Sequence, residues 1–375
     1  METLVTKHQI MWTDATEITA VSSASIDLMV TSPPYPMIEM WDDILGKQHA
    51  RIKTALDNKN GMEAFEAMHV LLDRVWAQIW RVLKPGRFAC INIGDATRSI
   101  GDEFALYPNH ARILSALIKL GFTPLPDILW RKQTNAPNKF MGSGMLPAGA
   151  YVTLEHEYIL IVRKGGKREF ITPAEKQQRR ESAFFWEERN TWFSDIWLDI
   201  KGNRQSLGDK KFRKRSGAFP FEIPYRLINM YSAKGDTVLD PFLGTGTSLW
   251  AAMAAGRNSI GIEVDPGFKP SVFTDLSTVK TVANRRIDQR LDHHQKFIKE
   301  RLDDEYHFKH INTPYGFPVM TAQEKALWID RPVDFRQKRD KTIQITYGKE
   351  AENLEIDIKP HRSTGPRQKS LFALD

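Results

Sequence analysis

The sequence predicts an α/β fold, a doubly wound sheet covered by helices, and three observations carry that reading. Short apolar runs of strand length alternate with longer stretches whose apolar residues recur at helical spacing. Two turn-forming motifs stand directly after two of the apolar runs, where open α/β sheets bind ligands. A chain of 375 residues, 41% hydrophobic and 26% charged, is long enough for one large domain plus a smaller one.

The elements follow in order. Residues 9–12 read as a strand ending near Asp14, with a helix expected over 16–22. The apolar run 26–30 reads as a buried strand that stops at Pro33 and Pro34, which cannot donate to a ladder. Residues 36–60 begin irregularly and then look partly helical, as a lid over a site would. Phe65, Met68, Leu72, Val75, Trp76, Ile79 and Val82 repeat at helical spacing, and Leu83-Lys84-Pro85-Gly86 ends that helix. Strand 87–93, helix 108–120 and strand 123–130 continue the alternation. The pattern breaks over 133–147 and resumes with strand 151–163. A helix over 222–232, strand 237–240, helix 247–255, strand 259–264 and a long charged helix over 279–301 complete the regular part. Its His293-His294 pair is expected at the surface, since adjacent helical positions diverge by about 100°. Residues 303–375 read as an extension of unknown role.

Composition narrows the function. No run approaches the ~18 apolar residues of a membrane span, and the first residues lack a signal-peptide core, so the expected address is the cytoplasm. A single cysteine, Cys90, excludes an internal disulfide and a cysteine-based zinc cluster. It lies inside the apolar run 88–93, where a small buried residue is the better reading than a nucleophile. The formal charge is +7, and residues 131–215 alone carry 18 Lys and Arg against 10 Asp and Glu. A basic excess confined to one segment fits a face that meets a polyanion. Basic clusters there interleave with Phe184, Phe185, Trp186, Trp192, Phe193 and Trp197, most of which are expected in the core, while the charges from Lys201 through Arg204, Lys210, Lys211, Arg213, Lys214 and Arg215 are expected to meet phosphate. Glu155-His156-Glu157 is not expected to bind metal, because neighbours on a strand point to opposite faces; no metal site is expected elsewhere.

Chemistry concentrates in two motifs. Ser32-Pro33-Pro34-Tyr35 offers a hydroxyl, a carbonyl without a ladder partner and an aromatic face, a set suited to a planar base bearing an exocyclic amine. For the tripeptide Pro-Pro-Tyr alone, a stiff surface turn is the blander alternative. The second motif is Asp240-Pro241-Phe242-Leu243-Gly244-Thr245-Gly246-Thr247, whose glycines let backbone approach a ligand closely. Glu263 follows 23 positions beyond Asp240, where a nucleotide-binding fold holds ribose hydroxyls. A nicotinamide enzyme would fit that spacing too, but no third glycine follows, which disfavours a pyrophosphate and favours a cofactor without phosphate. Asp14 serves equally as a helix N-cap or as a ligand group at a strand end. Trp41 would either pack against the domain or stack on DNA.

Together these motifs resemble the beta group of DNA amino-methyltransferases, in which the catalytic half precedes the target-recognition region and the cofactor half comes last. The resemblance covers residues 9–300 or so. It implies a Rossmann-like methyltransferase fold with a mixed seven-stranded sheet, helices on both faces and an inserted recognition region. The implied units are 1–132 for the catalytic half, 133–215 for target recognition and 216–302 for the cofactor half. It implies S-adenosylmethionine as cofactor, with Phe219, Asp240, Phe242, Gly244, Gly246 and Thr247 lining its methionine end. Glu263 would hold its ribose, Asp14 its adenine, and Ser32, Pro33, Pro34 and Tyr35 the target base. Serine at position 32 is the form most often seen in members that methylate the N4 amine of cytosine in double-stranded DNA; adenine N6 is the alternative, and a catalytically silent DNA-binding module a more distant one. The expected mechanism is flipping of the base and direct in-line transfer. A restriction-modification setting is implied, with a cognate endonuclease acting on the same site, outside any stable complex, left open.

Overall fold

The structure is a computed structural model, and it describes residues 3–132, 141–202, 219–273, 276–338 and 342–349. In chain order the strands β1 (Val5–Met11) and β2 (Ile26–Thr31) precede the helices α1 (Asp42–Gln48), α2 (Ala50–Asp57) and α3 (Gly61–Val82). Strands β3 (Leu83–Ile93), β4 (Ala96–Ile100) and β5 (Glu103–Tyr107) lead to α4 (Asn109–Lys119). Next come β6 (Phe122–Pro124), β7 (Ile128–Arg131), the short pair β8 (Met141–Gly142) and β9 (Ala150–Tyr151), and β10 (His156–Lys164). Helices α5 (Pro173–Glu181) and α6 (Trp186–Trp192) precede β11 (Ile196–Trp197). After these come α7 (Glu222–Tyr231), β12 (Thr237–Asp240), α8 (Thr247–Ala254), β13 (Asn258–Ile262), α9 (Lys269–Phe273) and α10 (Leu276–Asp303). Strands β14 (His310–Ile311), β15 (Pro318–Val319), β16 (Arg331–Gln337) and β17 (Ile343–Gly348) close the described chain.

One sheet organises the molecule, in the order β11-β7-β10-β3-β2-β12-β13-β1-β17-β16, with β6 also on β10. Its middle, from β7 to β1, is the expected mixed seven-stranded sheet: β3, β2, β12, β13 and β1 are parallel, and β10 runs against both β3 and β7. Eleven strands take part in all, because β11 extends one edge, the hairpin β16–β17 extends the other, with β17 antiparallel to β1, and β6 shares β10 with β7. The extension after residue 303 is therefore partly a piece of the sheet.

Strand alternation divides the core between two faces. Met29, Ala89, Ile91, Leu160 and Val162 meet α3 and α4 through Val75, Trp76, Ile79, Ile113 and Leu117. Leu28, Val30, Cys90, Ile159 and Ile161 point the other way, toward Ile223, Leu227, Ala251 and Ala283 of α7, α8 and α10. Cys90 is fully buried and burial pushes its thiol far up, so it is a core residue rather than a nucleophile.

The expected helix over 16–22 is absent. The chain turns there instead, and Arg81 donates to the carbonyls of Ile18 and Val21 at 2.8 and 2.9 Å, giving the turn acceptors a partner that a helix would have supplied. Helix α3 ends where the breakers begin, but β3 starts at once and takes in Lys84, Pro85 and Gly86, with an irregularity in its pairing to β2. The expected strand 123–130 is two short pieces, β6 and β7, on one neighbour. His294 is not at the surface: it is fully buried, 2.8 Å from Glu187, and stacked on Phe185.

Candidate active site

The carboxyl ends of β1, β2, β3, β12 and β13, together with the amino end of the opposed β10, surround a cavity of about 810 Å³. Asp14, Ser32, Pro33, Pro34, Tyr35, Trp41, Phe219, Asp240, Phe242, Gly244, Thr247 and Glu263 all line it. Motifs more than 200 residues apart in sequence thus share one wall because β2 and β12 are hydrogen-bonded neighbours.

Asp240 ties these two strand ends together. Its carboxylate accepts from Thr31 Oγ1 at 2.6 Å, from the Phe242 backbone N–H at 2.9 Å, and from the Ser248 hydroxyl. Burial pushes its carboxyl up, opposed by those three bonds. These three bonds hold the loop to the strand end, and Asp240 itself borders the cavity. Gly246 (φ +90°) caps α8 in the left-handed region and lies against Val272, so that a Cβ there would sit 3.3 Å from Cγ1. Gly244 (φ +53°) differs: a Cβ there would meet no protein atom within 4 Å and would project into open space at the cavity wall. The Gly244 backbone is thus open to close approach by a ligand from the cavity side.

Glu263 closes the loop from the next strand end. It accepts from the Gly244 N–H and the Asp265 N–H, each at 2.8 Å, and burial pushes its carboxyl up. Each oxygen keeps a further lone-pair direction for a hydroxyl donor. Asp14 accepts from the Thr16 N–H at 2.8 Å, an Asx turn that leaves its other oxygen available; with no helix following, it is not a helix N-cap. Trp41 packs on the cluster around Met37, Leu45 and Phe65 while also reaching the cavity.

Beside them, Tyr35 is held by residues that the motifs do not reveal. Its hydroxyl donates to Glu157 Oε2 at 2.8 Å and accepts from Asn92 Nδ2 at 2.8 Å; Ser32 Oγ lies 3.1 Å away. Glu157 also accepts from Asn92 at 2.7 Å and from Lys132 Nζ at 2.8 Å. Gly94 lies flat on this group, where a Cβ would come within 3.1 Å of the Tyr35 ring. A carboxylate has no proton, so the single phenolic proton points to Glu157 and the Ser32 hydroxyl donates to Tyr35. Burial first, then the charge of Glu157, raises the Tyr35 pKa well above its usual value, which keeps that proton in place. The Ser32 lone pairs are left for a ligand. The signal for Glu157 and Asn92 is a polar residue inside an otherwise apolar strand; the sequence raises Glu157 only within Glu155-His156-Glu157, a run open to metal or acid–base work, and not as a partner of Tyr35.

Lys201 is exposed, one residue from Gly202, whose backbone lies against the Lys132 side chain. Arg204, Lys210, Lys211, Arg213, Lys214 and Arg215 lie outside the described residues. Among the described residues no group of three or more His, Cys, Asp or Glu side chains forms a metal cage, and no helix is long and apolar enough to cross a membrane.

A largely parallel α/β sheet with a glycine loop after one strand, an acid at the end of the next, and a proline-stiffened loop beside them is the arrangement of the class of S-adenosylmethionine-dependent methyltransferases. Within it, the chain belongs to the N6/N4 DNA methylase family, which it matches over residues 26–273. The Type II methyltransferase M.MthZI of Methanothermobacter thermautotrophicus is 47% identical over 343 residues, covering 91% of this chain and 95% of that protein. M.MjaI of Methanocaldococcus jannaschii is 48% identical over 280 residues, covering 72% of this chain and 91% of that protein. The structure of TTHA0409 from Thermus thermophilus, solved with S-adenosyl-L-methionine, is similar at a TM-score of 0.55 and 33% identity, covering 71% of this chain and 91% of that one. The chain is thus a DNA methyltransferase of restriction-modification type that uses S-adenosylmethionine.

Proposed function

We propose that this DNA methyltransferase is a beta-group enzyme that methylates the exocyclic N4 amine of cytosine, at a specific site in duplex DNA, after flipping the base into the cavity. The observation that carries the reading is Ser32, whose hydroxyl proton is directed to Tyr35 and whose lone pairs, beside the Pro33 carbonyl, are free for the two N–H groups of an exocyclic amine. Serine at this position is the reason for preferring cytosine to adenine. S-adenosylmethionine supplies a methyl group already activated on a sulfonium. Residues of this chain then have two tasks, holding the cofactor and aiming the amine.

Gly244 and Gly246 shape the loop that would receive the methionine end, with Phe219, Phe242 and Thr247 around it and Asp240 holding the loop from beneath. Glu263 would accept from the ribose hydroxyls and Asp14 from the adenine amine. Hydrogen bonds from the target amine to Ser32 Oγ and Pro33 O favour a pyramidal nitrogen with its lone pair outside the ring system. Acceleration then rests on proximity and orientation, with no covalent enzyme intermediate. Tyr35 offers its face in place of the lost base stacking. We read the part of the segment 133–215 that borders the cavity, with Leu154 to Glu157, together with Trp41 and Lys201, as the source of DNA contacts around the site; β10 within the segment is a central strand of the sheet, and α5 and α6 lie at the other end of the strands.

The test is nucleoside mass spectrometry on duplex DNA after incubation with the purified protein and S-adenosylmethionine. 4-Methylcytosine is expected. 6-Methyladenine would overturn the choice of base and leave the remainder, and neither product on sequence-diverse DNA would overturn the assignment of the pocket.

A further inference from the structure

At the other end of the strands lies a second, larger cavity, and its chemistry is of one sign. It occupies about 1480 Å³ between the carboxyl end of β10, helices α5 and α6, the end of α7 and the turn around residues 321–326. Arg163, Lys167, Lys176, Arg179, Arg180 and Arg189 line it. Among the described residues none of these six is in an ion pair. The one acid in the described lining, Glu324, is committed to the Thr321 hydroxyl at 2.7 Å and the Trp186 N–H at 2.9 Å. Arg179 and Arg180 gain from the carboxyl end of α5 and Arg189 from that of α6, but that effect does not reach Arg163, Lys167 or Lys176.

Helix α5 makes the pattern more pointed. None of its residues is buried, so the core does not dictate its sequence. It is held by polar anchors instead: the Thr172–Glu175 capping box, the Gln178 amide on the Lys234 carbonyl, and the Arg168–Asp236 pair just before it. Lys176, Arg179 and Arg180, at spacings of three and four, form one cationic face that these anchors direct into the groove. An ordinary solvated face mixes signs; a cleft lined by one sign focuses its field on a counter-charge.

We propose that this groove is a second DNA-binding site, one that grips phosphate backbone away from the target base. It rests on the chain being a DNA methyltransferase and is independent of which base is methylated. From Glu157 at the catalytic cavity to Arg163 at the groove, β10 runs six residues, about 20 Å at ~3.4 Å per residue. A duplex whose base enters the catalytic cavity therefore meets the groove only with a different stretch: a flank of a long molecule bent around the sheet, or a second molecule.

The experiment compares the full chain with the variant Lys176→Gln/Arg179→Gln/Arg180→Gln, in the presence of S-adenosylmethionine. Anisotropy of a labelled duplex of about 20 base pairs and arbitrary sequence is followed over a salt series. The variant is expected to bind at least about tenfold more weakly, with the log–log salt slope reduced by about 3, close to one per lost phosphate contact. At saturation, the wild type is expected to take two short duplexes per chain and the variant one; a single duplex bound by the wild type, with the variant's tenfold loss confined to DNA of several hundred base pairs, would identify the flank of a long molecule as the occupant. Cofactor binding and the maximal rate of methyl transfer are expected to stay unchanged, which also reports an intact fold. Equal affinity and slope on both DNA lengths would overturn the proposal and leave the groove to an acidic protein partner. A fall in maximal rate with intact cofactor binding would overturn it too, by making the groove part of the substrate site.

Discussion

Two side chains decide how Ser32 meets a ligand, and neither belongs to its motif. Glu157 takes the Tyr35 proton, and Asn92 donates to both, so the hydroxyl of Ser32 is left with only one sense in which to bond. Tyr35→Phe keeps the ring and removes the relay; its maximal rate is expected to fall about tenfold, the worth of one orienting hydrogen bond, with DNA affinity unchanged. Glu157→Gln should show the same split, because an amide cannot accept from Lys132, Asn92 and Tyr35 together. Single-turnover rates measured against DNA affinity check both, and a loss confined to affinity would reject the relay. The glycines part in another way. Gly244→Ala places a methyl in open space at the cavity wall, in a left-handed conformation costing roughly 1–2 kcal/mol, so cofactor affinity should drop far more than stability. Gly246→Ala adds a contact with Val272, and its main loss should be thermal stability. Calorimetric titration beside a melting curve distinguishes them.

The elements legible in the sequence are those whose signal is local. Strand Thr237–Asp240 and helix α3 stand where the apolar run, the helical spacing and the breakers put them: the strand is buried on both faces and stops before Pro241, and the helix ends where Leu83-Lys84-Pro85-Gly86 begins. Residues 16–22 defeat a local reading because their carbonyls find Arg81, 60 and more positions away, a partner no local pattern announces. The polar group around Tyr35 is half legible for the same reason: Ser32 to Tyr35 sit together in the chain, whereas Glu157 arrives on β10 and Asn92 on β3. The hairpin β16–β17 is opaque because its meaning lies in what it covers. It pairs with β1, and Ile343, Ile345 and Tyr347 pack with Leu243, Leu249 and Met253, beneath the glycine loop. Ile345→Ala is expected to cost 2–5 kcal/mol or so, as for other buried large-to-small changes, and to weaken cofactor binding through Leu243. Denaturant unfolding with and without S-adenosylmethionine measures both; an unchanged midpoint would mean the hairpin does not brace the sheet.

For the whole molecule, acidity acts on the sheet before it acts on any exposed surface. His8, in β1, is buried between Thr6 and Ser259, at 2.8 and 2.7 Å, and burial lowers its pKa to about 3. His69, in α3, is also lowered to about 3, by burial and by the nearby Arg112, against its bond to Asn109. Both are neutral when folded and free to take a proton when unfolded. Their pKa values are depressed on folding, so their contribution is complete above about 6.5 and declines as pH falls toward about 3. Each withdraws about 1.4 kcal/mol per pH unit inside that window, or roughly 2 kcal/mol by pH 5. A comparison of urea unfolding at pH 7 and pH 5 stays above the ordinary carboxylate range, so the histidines dominate the difference. The expected result is a loss of about 4 kcal/mol in the parent chain and a much smaller one in His8→Gln/His69→Gln. Because Asp14 follows the end of β1 and α3 backs β2, whose end leads into Ser32, cofactor affinity and transfer rate should fall together with stability across that window. An enzyme that lost activity at pH 5 with its unfolding midpoint unmoved would instead be reporting a titrating group in the cavity.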